Sequence, residues 1–293
     1  MKRLAIFVGI VLVLGFVGVS VWRGTRRNPA PETEKHDVVS AERKEEVQRF
    51  WDLYRRATDL RIEGEWVDAA SLYTKALEIN SQHEGALYHS GNVFFELGEY
   101  DRAVTAWRRL AEAHPLSARA HFQLGAIYSS GAAGADFDLD IAEREFQRAL
   151  AINQEETGPI QKLGELNVLR GESQRALTFF EKVLKSNPKS IEAHYMIGYI
   201  KWWEGDRGEA LASLQQAVTH SLSKGPAGAV LGEGDTKTGS GPLLVEGASR
   251  KSFFSAHWIS LKSWSDEEVS TLQMEEEYSG LDQRLELLTG KAH

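Results

Sequence analysis

Nine histidines are scattered along this chain and there is no cysteine, so the residues that most often hold metals or act as nucleophiles form no recognisable centre. No His-Glu-x-x-His pair occurs, and without thiols neither disulfides nor thiolate metal sites can form. His121 and His194 fall at the same place of a repeating pattern, with His89 near it, which reads as packing or surface chemistry. Asp136, Asp138 and Asp140 alternate as calcium ligands do. The loop fails the calcium template, because Ile141 stands where glycine is needed and Gln147 where a bidentate glutamate is needed. Acids near a helix N-terminus, favourable against its dipole, are the plainer reading. The run GEGDTKTGSG superficially resembles a phosphate loop but lacks lysine directly after its last glycine, and no strand pattern precedes it. No Gly-x-Ser-x-Gly elbow is present. Glu96 with Glu99, and Glu275 to Glu277, read as solvated charge. The expectation is no catalytic residue, no metal, no cofactor and no enzyme.

Binding is a different matter, and the elements that would organise it are legible. An alanine recurs at Ala69, Ala103, Ala142, Ala176 and Ala210, at steps of 34, 39, 34 and 34 residues. A bulky residue follows each by four (Tyr73, Trp107, Phe146, Phe180, Leu214), and Ala76, Leu110, Ala149, Val183 or Ala217 comes three later. This period predicts stacked helical hairpins. Gly91, Gly125, Gly164 and Gly198 fall midway along the first helices. Glycine there costs about 1 kcal/mol against alanine, and is tolerated where a second helix must approach the backbone. Pro115 and Pro188 stop second helices. Each hairpin leaves an apolar face that only its neighbour can cover.

From Phe50 to Ser221 the chain resembles the tetratricopeptide repeat (TPR) family. Repeat two carries Leu87, Gly91, Phe94, Gly98, Tyr100, Ala103, Trp107 and Pro115 of that pattern; repeat four carries Leu163, Gly164, Gly171, Ala176, Phe180 and Pro188. Repeat five carries Ile197, Gly198, Gly205, Ala210 and Ala217, and repeat one fits from Gly64 onward, with Ala57 at the small place. Repeat three departs, with five extra residues in its turn, 131–140. The resemblance implies an all-α fold: a right-handed superhelical solenoid of about five hairpins near 50–83, 84–117, 118–156, 157–190 and 191–221, within an array over 41–221.

In this family the first helices line a concave groove. The resemblance places Tyr54, Tyr88, Phe122, Gln161 and Tyr195 there at the fifth place of each repeat, joined by Asn92 and Phe95 in repeat two and by Tyr199, Trp202 and Trp203 in repeat five. A groove lined by aromatic rings suits an apolar or extended peptide. The competing reading is that these rings pack between repeats. The fifth place holds no lysine, so the carboxylate clamp that some members use is not expected here.

The flanks carry two further expectations. Leu4 to Trp22 is an uncharged run long enough to cross a bilayer as a helix, with Lys2 and Arg3 before it and Arg23, Arg26 and Arg27 after it. Residues 1–27 therefore read as a transmembrane signal-anchor, with a cleaved signal as the alternative. Residues 28–40 read as a polar tether in which Pro29 and Pro31 oppose helix. The short basic N-tail favours export, placing the array outside the cytoplasm (periplasmic), while the basic C-terminal flank leans the other way. Net charge is -8, and the five basic residues of the N-terminus leave the remainder more acidic still, which argues against nucleic acid as a partner.

After Ser221 the period stops. Residues 222–250 read as a glycine-rich loop, and 251–293 as a helical capping extension. In that extension Ser265 to Glu268 forms a capping box, one helix runs through Val269 and Leu272, and a second runs over Leu281, Leu285 and Leu288 to end at Gly290. The functional expectation is a membrane-tethered scaffold, an adaptor or assembly factor. It would bind a protein or peptide in its groove, touch the membrane through residues 4–22, and take neither nucleic acid nor a small-molecule substrate. The alternative is a ligand-binding or catalytic role in residues 222–293, with the array as a docking arm.

Overall fold

The computed structural model describes residues 32–130, 134–223 and 269–290, and among them there are eleven helices and no strand. The chain divides into two units, residues 1–45 and 46–293. In the first, the described residues are helical and belong to α1 (Glu32–Glu63). The predicted tether thus becomes helix from Glu32, directly after Pro31, consistent with proline's tolerance in a first turn. The expected membrane span and the glycine-rich stretch over 224–250 lie outside the described residues. No described helix is long and apolar enough to cross a membrane.

In the second unit the hairpins follow the alanine register. The second helix of repeat one is α2 (Trp66–Ile79). Repeat two is α3 (Glu84–Glu96) with α4 (Tyr100–Ala113). Repeat three is α5 (Ala118–Tyr128) with α6 (Leu139–Ile152). Repeat four is α7 (Thr157–Leu169) with α8 (Ser173–Ser186). Repeat five is α9 (Ile191–Trp203) with α10 (Arg207–Ser223). Each second helix also packs on the next repeat's first helix, α2 on α3, α4 on α5, α6 on α7 and α8 on α9.

The hairpin turns show why the glycines sit where they do. Gly98 takes φ +73°, a left-handed conformation that L side chains rarely adopt, and Glu99 N–H then donates to Phe94 C=O at 2.8 Å. That reach-back bond is the Schellman closure of a helix end. The same bond recurs from Glu65 to Leu60, from Glu172 to Asn167 and from Asp206 to Lys201. In repeat three the residue at the corresponding place, Gly131, lies outside the described residues. There Asp138 N–H donates to Tyr128 C=O at 2.9 Å, and the Asp138 carboxylate caps α6 by accepting from Asp140 N–H at 2.9 Å and Ile141 N–H at 2.8 Å. Asp140 pairs instead with Arg170 of repeat four at 2.6 Å. Asp138 and Asp140 are therefore helix cap and inter-repeat ion pair. Among the described residues no group of acids and histidines could hold a metal ion.

Inside the hairpins of repeats two to four the bulky ring lies against the mid-helix glycine. A Cβ on Gly125 would stand 2.7 Å from the Phe146 ring, and one on Gly164 would stand 2.8 Å from Phe180. Trp107 occupies the same place over Gly91. Phe146, Phe180 and Tyr73 are fully buried. Most buried apolar residues connect into one cluster running from Ala57 to Leu285, a stripe through the stack, and Leu87, Tyr88, Leu110 and Ala120 form a second, smaller cluster.

The stripe ends on α11 (Thr271–Thr289), and here the structure corrects the sequence reading. One helix, opened by a capping box of Ser270 with Gln273, runs from Leu272 through Leu281 and Leu285 where two helices were expected, and the expected box at Ser265 to Glu268 lies outside the described residues. Gly280 is carried through its interior, because Met274, Tyr278, Leu281 and Leu285 form one buried face spanning it. The helix does end at Gly290, whose φ is +66°.

Candidate functional site

The predicted groove residues fall into three environments. At the fifth place of the repeats the rings pack against the following repeat. The Tyr54 hydroxyl lies where a Cβ on Gly85 would meet it at 2.6 Å, and the Phe122 ring lies 3.3 Å from a Cβ built on Gly158. Tyr88 lies beneath the Arg119 guanidinium, 5.1 Å from its ring centroid, and its hydroxyl accepts from Gln123 Nε2 at 3.3 Å. Tyr88 and Phe122 are buried, and Tyr54 is half-buried with a hydroxyl pushed up in pKa by burial. These rings set the spacing of successive first helices.

Asn92 and Phe95 form the second environment and are both buried. Phe95 meets Tyr100 edge-on at 5.3 Å and tilts against Trp107 at 6.1 Å.

The third environment is repeat five, where α11 covers the rings. Tyr278 is fully buried, with its ring 5.5 Å from Tyr195, 5.7 Å from Tyr199 and 5.5 Å from Trp202. Interplanar angles of 68°, 67° and 44° are the edge-on and tilted arrangements that aromatic quadrupoles favour. Tyr195 Oη donates to Glu277 Oε1 at 3.2 Å, and Tyr199 Oη donates to Asp282 Oδ1 at 2.5 Å. Burial, reinforced by the Glu277 carboxylate, holds the Tyr195 hydroxyl well above the usual tyrosine value; burial and the bond to Asp282 do the same at Tyr199. Both remain protonated donors. Trp203, next on the helix, is 42% exposed.

One feature of this end was missed by sequence reasoning. The Tyr278 hydroxyl occupies the space over Gly198, closer than any real Cβ could approach, and the Ala210 carbonyl lies 3.1 Å from that Cβ position. In repeats two to four this space over the glycine is filled by the hairpin's own Trp107, Phe146 or Phe180. Repeat five carries Leu214 at that place, which leaves a socket that the ring of another helix fills. The signal was in the sequence: glycine kept at Gly198 while the matching aromatic is lost at Leu214.

Polar chemistry elsewhere is structural. His121 Nδ1 contacts Glu145 Oε2 at 2.7 Å, and Arg148 Nη1 donates to Glu145 Oε1 at 2.7 Å. Burial would raise the Glu145 pKa, but the hydrogen bond with His121 and the Arg148 charge hold it below the usual carboxylate value. His83 Nδ1 accepts from Ala86 N–H at 3.1 Å and so caps α3. His194 Nε2 lies 2.9 Å from the Pro188 carbonyl.

Helical hairpins of this period, nested through a mid-helix glycine or alanine and closed by glycine turns, define a repeat scaffold. The repeats are tetratricopeptide repeats: residues 60–126, 160–190 and 191–219 each match a tetratricopeptide repeat model. Among curated proteins the chain is similar to the DnaJ homolog subfamily C member 7 homolog of Schizosaccharomyces pombe, 19% identical over 207 residues. That match takes in 66% of this chain and 42% of the relative, so the chain spans less than half the length of that protein. Among solved structures it is similar to the MamA protein, at 23% identity with a TM-score of 0.51, over 61% of this chain and 94% of the other. It is also similar to MamA 41-end from Desulfovibrio magneticus RS-1, at 16% identity with a TM-score of 0.53, over 60% and 97% of the two chains. At such identities these likenesses show the fold.

Proposed function

We propose that this protein is a non-enzymatic scaffold, held at a membrane by residues 4–22, whose first-helix face receives a protein or peptide partner. One observation carries the reading: the repeated geometry stacks α3, α5, α7 and α9 side by side, with buried or half-buried rings such as Tyr54 and Phe122 packed against the next repeat. Such a face is formed before a partner arrives, so little ordering is required of the scaffold on binding. Trp203, half-buried Trp202 and half-buried Tyr54 are the groove aromatics with surface left to offer, and aromatics dominate binding energetics at interfaces. Buried Tyr88, Asn92, Phe95, Phe122, Tyr195 and Tyr199 support that face from beneath. The apolar run at the N-terminus supports the membrane tether, and the short basic N-tail before it supports the extracytoplasmic, periplasmic placement of the array. Tethering would raise the effective concentration for membrane-borne partners.

The test is capture of partners by the full chain from native membranes, repeated with Trp203→Ala and with Leu116→Ala, an exposed leucine in a loop between repeats. Recovery should fall at least tenfold for Trp203→Ala and stay unchanged for Leu116→Ala. Equal recovery with all three chains would remove the first-helix face from the account. Carbonate extraction tests the tether: the full chain should stay with the membrane, and a chain starting at residue 28 should not.

A further inference from the structure

We propose that repeat one holds a subsite for an aspartate or glutamate side chain of an extended peptide, with Arg61 as its anchor and Trp51 as the seat for an apolar residue of the same peptide. This subsite rests on the first-helix face being where a partner binds, and it names the chemistry that face selects.

Arg61 is a cation without a counter-charge. Among the arginines whose side chains are described, Arg61 and Arg170 are half-buried and the others are exposed. Arg170 lies between two carboxylates, 2.6 Å from Asp140 and in contact with Glu143. Arg61 pairs with no carboxylate among the described residues, and its Nε–H is buried without an acceptor. Arg55, the arginine nearest to it on the Trp51 side of α1, is already paired with Asp52 at 2.5 Å. A guanidinium stays charged throughout the working range of pH, so its partial withdrawal from water carries a cost. A carboxylate gripped by the planar N–H fork offsets that cost and is held in a fixed geometry. The Tyr54 and Tyr73 hydroxyls do not fill this role. Burial raises the pKa of both, against a lowering by the Arg61 charge, so they stay protonated and neutral.

The surroundings set what else the occupant carries. Tyr54, Thr58 and Arg61 fall on one side of α1, at spacings of four and three residues. Trp51, one turn before Tyr54, is exposed, and its ring stands edge-on to Tyr54 at 5.8 Å. Tyr54 meets Tyr73 edge-on at 5.9 Å. Val47, one turn before Trp51, is exposed as well. The helix rises about 15 Å between Trp51 and Arg61. An extended chain covers that distance in about four or five residues. The occupant is therefore a peptide whose large apolar side chain and acid are about four or five residues apart. Arg61 lies two turns beyond the fifth place of the repeat, so this subsite differs from the lysine clamp that the fifth place lacks.

To test it, the full chain is panned against a displayed library of random peptides, and the most enriched peptide is labelled and titrated by fluorescence anisotropy. It should carry Asp or Glu at that spacing from an aromatic or large aliphatic residue. Arg61→Gln and Trp51→Ala should each weaken binding at least tenfold, with circular dichroism verifying the fold. Changing the peptide's acid to its amide should weaken binding to the wild-type chain as much as Arg61→Gln does, and should add nothing against the Arg61→Gln chain. The peptide arm leaves the protein untouched, so it decides the matter even where Arg61→Gln fails to fold. Binding that falls with Trp51→Ala but ignores Arg61→Gln and the amide change overturns the subsite and leaves the face. Binding that ignores Trp51→Ala, Trp203→Ala and Arg61→Gln alike, or failure to enrich any peptide, overturns face and subsite together. Loss of binding only when the peptide's C-terminus is amidated overturns the assignment to a side-chain carboxylate.

Discussion

Replacing Gly125 by alanine tests the nesting of the hairpins. In an isolated helix this change is favourable by about 1 kcal/mol, since glycine loses more backbone entropy than alanine. Here the added Cβ would stand 2.7 Å from Cδ1 and Cε1 of Phe146, a ring with no exposed surface into which to retreat. Overpacking of this kind costs about 1–3 kcal/mol, so Gly125→Ala should destabilise repeat three by up to about 2 kcal/mol net. The second arm is Phe146→Leu, which costs about 1–3 kcal/mol alone by removing ring atoms from a filled core. With the ring shortened the Cβ has room, and Gly125→Ala should change sign to a gain approaching about 1 kcal/mol. The coupling between the two sites is then about 1–3 kcal/mol, as expected for residues in direct contact. Urea melts followed by native-state amide exchange of α5 and α6 measure this locally, since repeat arrays need not unfold in one step. A stabilising Gly125→Ala in the wild-type chain, or the same effect in both backgrounds, would refute the argument that ring and backbone share that space.

Three further outcomes follow from the geometry. Burial lowers the His83 pKa below its usual 6.5, so the stability from neutral His83 is complete above pH 6.5 and declines as pH falls toward the folded-state value. His83→Ser keeps an N-cap for α3 without that titration, and should flatten the change in urea midpoint between pH 7.5 and pH 5.5. Glu145, held below the usual carboxylate value, stabilises above about pH 4.5 and loses this as pH falls further, so Glu145→Gln should reduce the acid sensitivity of repeat three in thermal melts. Asp138→Ala removes both cap bonds of α6 and should cost about 1 kcal/mol in a urea melt, with no change on adding calcium or chelator.

Most of the fold was written in single residues. Ala69, Ala103, Ala142, Ala176 and Ala210 located the second helices, and Gly98 and Gly171 located turns that close by the same reach-back bond. The groove was harder to read, because a ring at the fifth place can face solvent or the next helix. What decides is a residue in the following repeat: Gly85 makes room for Tyr54, and Gly158 for Phe122. That pairing spans a whole repeat and is invisible to local periodicity. The Tyr278 socket escaped because it depends on an absence at Leu214 that a helix far along the chain fills.

The central claim is that the first-helix face, and not the second-helix face, meets the partner. Site-specific photo-crosslinking in native membranes tests this directly, with the probe placed at Trp203 on α9 or at exposed Val67 on α2 of the full chain. Adducts to a protein or peptide at Trp203 and none at Val67 are the expected result. Adducts at Val67 with none at Trp203 would contradict the account.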